Sequence, residues 1–146
     1  MNISESITIN KPVGEVYEAF ADVAKMSDRI PGIVKIEVTS DVKSGVGTHW
    51  KETRVMFGKE ATEEMEITKV DEGKSITIES DSAGTHYVTE YTFKESGEGT
   101  EVTMSFSGVA QSLMAKIMSP MMGLMSGSMK KMLRADLESM KESLEK

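Results

Sequence analysis

The chain has 146 residues, 38% hydrophobic and 28% charged, with a formal net charge of −7 and no cysteine. That length suits one domain with one core, and the acidic balance argues against nucleic acid, whose phosphates select a basic surface. Without cysteine there is no disulfide framework, no thiolate metal site and no cysteine nucleophile.

Asn2 to Ile9 alternates, with Ile3, Ile7 and Ile9 on one side and Ser4, Ser6 and Thr8 on the other, which predicts a strand. Asn10-Lys11-Pro12 ends it and opens a helix, proline being tolerated in a first turn. Val13, Val16, Tyr17 and Phe20 form that helix's apolar stripe. A second short helix is expected over Asp22 to Arg29, closed by Pro31-Gly32.

From there the period is two. Strands are expected over Ile33–Ser40, Thr48–Phe57, Glu60–Val70, Ser75–Ser80, Thr85–Lys94 and Thr100–Ser107. Gly58-Lys59, Asp71-Glu72-Gly73-Lys74 and Ser82-Ala83-Gly84 read as turns, and turns this short imply an antiparallel meander. The acidic run Glu60, Glu63, Glu64 and Glu66 predicts a solvated edge or rim.

The last third, Gly108 to Lys146, reads as one long helix. Met114, Ile117, Met118, Met121, Met122, Met125, Met129, Met132, Leu133, Leu137, Met140 and Leu144 recur three and four apart, so they share a face that must be buried. Lys116, Lys130, Arg134, Glu138 and Lys141 occupy the other. Pro120, which lacks a backbone donor, predicts a kink between a weaker stretch, Ala110–Ser119, and a firm one, Met121–Leu144.

Strand alternation groups further residues. Trp50, Glu52, Arg54 and Met56 share a face, as do Tyr87, Thr89, Tyr91 and Phe93, then Val102, Met104 and Phe106, and Ile76 with Ile78. Glu52 and Arg54 either point inward beside Trp50, where each must be paired, or are turned to solvent by a bulge. The methionine stripe is core packing, ligand contact or both. His49 and His86 fall on the opposite parity and lack metal-ligand spacing. No G-x-S-x-G elbow and no phosphate loop is present. No cofactor, metal or catalytic residue is therefore assigned.

The chain resembles the START/Bet v 1-like (SRPBCC) superfamily, in particular its polyketide cyclase/dehydrase and lipid-transport group and the carbon monoxide dehydrogenase G-like proteins. The likeness spans the whole chain. It rests on Ser6-Ile7-Thr8-Ile9-Asn10-Lys11-Pro12-Val13-Gly14-Glu15-Val16-Tyr17, Gly45-Val46-Gly47-Thr48, Thr68-Lys69-Val70-Asp71-Glu72-Gly73-Lys74-Ser75 and Gly99-Thr100-Glu101-Val102-Thr103. The closing Asp136-Leu137-Glu138-Ser139-Met140-Lys141 adds to it. It implies a single domain over residues 1–146 with the α+β helix-grip fold: a curved antiparallel sheet of about seven strands (β-α-α-β6-α) wrapped on a long C-terminal helix.

It also implies a cavity between sheet and helix that takes a hydrophobic small molecule, lipid-like or aromatic. By the same resemblance the wall is Phe20, Trp50, Glu52, Arg54, Met56, Ile78, Tyr87, Tyr91, Met104, Phe106, Met118, Met122, Met125 and Met129, with Ile30 and Met121 beside them. Two alternatives accompany this expectation. One is a polyketide cyclase/dehydratase-like enzyme working through Arg54, Glu52 and Tyr91. The other is a maturation or interaction factor whose methionine-rich helix contacts a protein partner or a membrane surface, a protein partner or a dimer being possible. No apolar run approaches the roughly 20 residues that span a bilayer, and no signal peptide opens the chain, so a cytoplasmic protein without an integral membrane segment is expected.

Overall fold

The computed structural model describes residues 2–56, 58–124 and 126–146; the side chains of residues 119 and 121–124 lie outside the description. The elements run β1 (Asn2–Ile9), α1 (Val13–Ala21), a single 3-10 turn (Val23–Lys25), α2 (Met26–Arg29), β2 (Ile33–Val38), β3 (His49–Met56), β4 (Lys59–Asp71), β5 (Ser75–Ser82), β6 (Thr85–Ser96), β7 (Gly99–Ala110), α3 (Leu113–Leu124) and α4 (Ser126–Glu145). The described strands form one seven-stranded sheet in the order β1-β7-β6-β5-β4-β3-β2, antiparallel throughout. This is the helix-grip architecture.

Two expectations are corrected. Gly108 to Ala110 continue β7 rather than opening a helix, because Thr85, His86 and Tyr87 of β6 supply the pairing partners Ala110, Val109 and Gly108 would otherwise lack. Pro120 lies inside α3 (Leu113–Leu124), and α4 runs over Ser126–Glu145, the residue between them lying outside the described ones. The second correction is β4, an interior strand between β3 and β5 and not an edge. Its glutamates are spread over both faces, and Glu63 faces inward.

The true edges are β1 and β2. An edge strand presents unpaired carbonyls, a template for aggregation unless something covers it. Here α4 covers β1. Arg134 donates to the Ser6 carbonyl at 2.6 Å and Lys141 to the Thr8 carbonyl at 2.7 Å. Arg134 also pairs with Glu5 and Glu138. The basic side chains of the polar face of α4 thus hold the helix onto the sheet's rim.

Along the sheet the interior changes character. At one end Phe93, Val102, Leu137 and Met140 are buried together with Val16 and Tyr17. Tyr17 and Phe20 meet Phe93 edge-on, both at centroid distances of 5.4 Å. Close-packed apolar groups of this kind supply most of a small domain's stability. Toward α3 the packing opens into a cavity.

Candidate functional site

The cavity has a volume of about 510 Å³, within the range of small-molecule sites. Its position follows from strand alternation. On β6 the inward residues are Tyr87, Thr89 and Tyr91, which line it, then Phe93, which belongs to the solid core. On β7 Phe106 and Met104 line it and Val102 does not. On α4 Met129, Met132, Leu133 and Asp136 line it, and Leu137 does not. The floor therefore lies at the level of Tyr91, Met104 and Asp136.

The structure places Phe20, Trp50, Glu52, Arg54, Met56, Ile78, Tyr87, Tyr91, Met104, Phe106, Met118 and Met129 around this one space, with Ile30. Met125 lies outside the described residues, as do the side chains of Met121 and Met122. The alternation of β3 survives because its register with β4 runs unbroken from His49↔Glu66 to Met56↔Lys59. The irregularities fall instead on the partner sides, between Ile33 and Lys35 in β2 and between Ile67 and Lys69 in β4. Glu52 and Arg54 consequently point inward with Trp50.

The long methionine stripe is not buried as a whole. Met129, Leu133, Leu137 and Met140 are, but Met114 is 70% exposed and Ile117 65%. Met114 also lines the cavity, which puts the mouth beside the first turns of α3. Tyr87 stacks on Phe106 at 5.4 Å and forms part of the same end.

The wall is mostly apolar, and its charged groups are Glu63 on β4 and one cluster at the floor. Arg54 donates through Nη1 to both carboxylate oxygens of Asp136, at 2.9 and 3.2 Å, and through Nε to Glu52 at 3.4 Å. Trp50 Nε1 approaches the other Glu52 oxygen at 3.5 Å. The charged side chains are only 10–14% exposed. Burial opposes the charge on Arg54, but the two carboxylates outweigh it and leave its pKa raised. Asp136 fares differently. Burial pushes its carboxyl up to about 6, more than its share of Arg54 pulls it down, and Glu52 adds to the rise. Tyr91 is driven well above the usual phenol range, by burial first and then by Asp136 and Glu52, so it stays neutral.

Asp136 had no place among the expected site residues. Its signal was legible, since it sits at the helical spacing of the apolar face, four residues before Met140 and three after Leu133. A carboxylate on a buried stripe demands a partner. Glu63 also lines the cavity and accepts from Ser82 Oγ at 3.0 Å.

His49 and His86 lie off this cavity, on the outer face, as their parity requires. Both are half-buried and not freely solvated. His86 is held between Asp81 and Glu79, with both ring nitrogens at 2.7 Å from a carboxylate oxygen, and the hydrogen bond to Asp81, followed by that to Glu79, raises its pKa. Among the described residues no group of three or more acidic or histidine side chains is placed to hold a metal ion, and no helix is long and apolar enough to cross a membrane.

Solved structures share the fold over nearly the whole chain. A Thermus thermophilus protein aligns with a TM-score of 0.77 at 17% identity, covering 97% of this chain and 95% of its own. A Streptomyces aromatase/cyclase gives 0.78 at 17%, covering 99% and 93%. A START superfamily protein of Mycobacterium smegmatis gives 0.78 at 11%, covering 98% of each. No curated protein matches the chain, and the comparisons do not support the narrower likeness to the carbon monoxide dehydrogenase group. The family model for polyketide cyclase/dehydrase and lipid transport matches residues 1–145: the chain belongs to that family within the START/Bet v 1 superfamily.

Proposed function

We propose that this protein binds and carries a hydrophobic small molecule, lipid-like or aromatic, in the cytoplasm, through the residues that line the cavity. The observation that carries the reading is the cavity itself: about 510 Å³ walled largely by aromatic, methionine and other apolar side chains, with a charged cluster at its floor. Ligand sites of this type combine an apolar wall with a few polar groups that fix orientation. Methionine, flexible and polarizable, suits a wall that adapts to varied apolar shapes. The family's description, which includes lipid transport, supports the same reading.

Native mass spectrometry and organic extraction of the purified protein test it. A bound or extractable apolar molecule is expected. Titration of the same protein with fatty alcohols, sterols and polycyclic aromatics should quench or shift the fluorescence of Trp50, which is the chain's one tryptophan and lines the cavity. A protein that emerges empty and responds to none of these is not a carrier.

A second reading, cyclase- or dehydratase-like chemistry on a polyketide-like substrate, is favoured by Asp136. A carboxyl held near 6 beside Arg54 and a neutral Tyr91 can exchange a proton with a bound substrate near neutral pH. An aromatase/cyclase among the structural neighbours is in keeping with it. Turnover of a poly-ketone analogue that disappears in Asp136→Asn while binding persists would establish it; binding without turnover in the wild type would remove it.

A further inference from the structure

Resting on the cavity as a ligand site, we infer that its occupant ends in an uncharged or cationic polar group that donates a hydrogen bond, and not in a carboxylate or phosphate. Arginine in a pocket ordinarily suggests an anionic ligand, because its planar fork matches a carboxylate. Here two of its nitrogens already serve the protein's own carboxylates. Nη1 of Arg54 is shared by both oxygens of Asp136, and Nε is turned to Glu52.

The charges on the wall point the same way. Among the described residues lining the cavity, Glu52, Glu63 and Asp136 are acidic and Arg54 is the one cation. An anionic headgroup at the floor would crowd further negative charge around one guanidinium among largely buried side chains, where like charges repel far more strongly than in water.

A donor meets the opposite situation. Among the described residues, the Glu52 oxygen opposite Trp50 has a single long contact, 3.5 Å from the indole nitrogen, beyond the usual hydrogen-bond range. A hydroxyl, amide or ammonium entering from the cavity finds there a carboxylate acceptor short of partners. The floor is thus built for a neutral or cationic head carrying a donor, with the apolar body lying toward Tyr87, Phe106 and Met118.

The test compares decanol, decylamine and decanoate, equal in chain length, by Trp50 fluorescence and calorimetry with the full-length protein at about pH 7.5, where the amine and the acid are both charged. Decanol and decylamine are expected to bind at least about tenfold more tightly than decanoate. Asp136→Asn and Glu52→Gln, each removing one negative charge, should narrow that gap by improving decanoate; the two variants are independent, so one that fails to fold leaves the other to decide. Decanoate binding as well as or better than decanol overturns the inference and leaves the cavity as a binding site. If none of the three binds, the inference and the carrier reading fall together.

Discussion

Asp136 Oδ2 lies 2.9 Å from Nη1 of Arg54, and the two residues are 82 positions apart in sequence. One stands on α4 and the other on β3, so this ion pair spans the cavity and ties the helix to the far half of the sheet. Removing Arg54 would leave Glu52 and Asp136 facing each other without a counter-charge. Arg54→Met is expected to destabilise the fold by about 3–5 kcal/mol, since breaking a buried pair strands a charge. Adding Asp136→Asn and Glu52→Gln should recover most of the loss. Urea unfolding of the single and triple variants measures both; a triple variant no better than the single shows that the charges are not the cause.

The same carboxyl makes a pH prediction. Asp136 has a folded-state pKa of about 6 against an ordinary value of 3.8. The folded protein therefore holds this proton more tightly than the unfolded chain. Its contribution favours folding fully below about pH 3.8 and is lost as pH rises through about 6. Asn is a neutral stand-in, so the stability of Asp136→Asn relative to wild type should improve between about pH 4 and pH 7. A difference that stays flat, or an Asp136 carbon-13 carboxyl resonance that titrates near 4, contradicts the assignment.

These two residues also mark how far the sequence carries. Arg54 could be placed because β3 alternates without interruption, and Trp50 and Met56 fix which parity is inward. The inward sets on β3, β6 and β7 followed from the same rule, whereas the inward Glu63 on β4 did not. Asp136 belongs to a strongly helix-forming closing run, and composition alone does not single it out, although its spacing puts it among Leu133, Leu137 and Met140. Periodicity reports which face a residue is on, but it does not say where burial stops. That is why Met114 and Ile117, on the same stripe as Met129, turned out to be exposed. Whether the stripe encloses a space or fills it depends on the curvature of the sheet, which pair spacing along the chain does not encode.

The division between solid core and cavity can be measured by truncation. Leu137 is fully buried, whereas Met118 lines the cavity and is 43% exposed. Leu137→Ala should cost about 2–5 kcal/mol, the lost transfer energy plus the void left behind. Met118→Ala borders space already empty and should cost under about 1 kcal/mol, while altering the uptake of bulky apolar ligands. Equal costs in urea unfolding would mean that no such division exists.

His86 provides a second titration, on the outer face. Its contacts with Asp81 and then Glu79 raise its pKa above the ordinary 6.5. This histidine favours folding fully below 6.5, and the contribution fades as pH rises through its higher folded value. Proton NMR of the ring should show that elevated midpoint, and Asp81→Asn should lower it toward 6.5. An unchanged midpoint in the variant would assign the shift elsewhere.

The mouth of the cavity rests on a two-residue turn. Ala83 and Gly84 both have positive φ, 50° and 76°, as a tight hairpin between β5 and β6 requires. The Gly84 carbonyl accepts from the backbone of Gln111 at 2.7 Å and Ser112 at 3.1 Å, and Ser112 Oγ accepts from the Ala115 amide at 3.0 Å, capping α3. A Cβ on Gly84 would fall 2.1 Å from Ser112 Oγ. Gly84→Ala must therefore push the cap away as well as strain the turn, at a cost of about 1–3 kcal/mol. Because α3 flanks the opening, the variant should also release a bound fatty alcohol faster, measured by displacement kinetics on Trp50 fluorescence. A variant with lowered stability and an unchanged release rate would mean that this anchor does not control the opening.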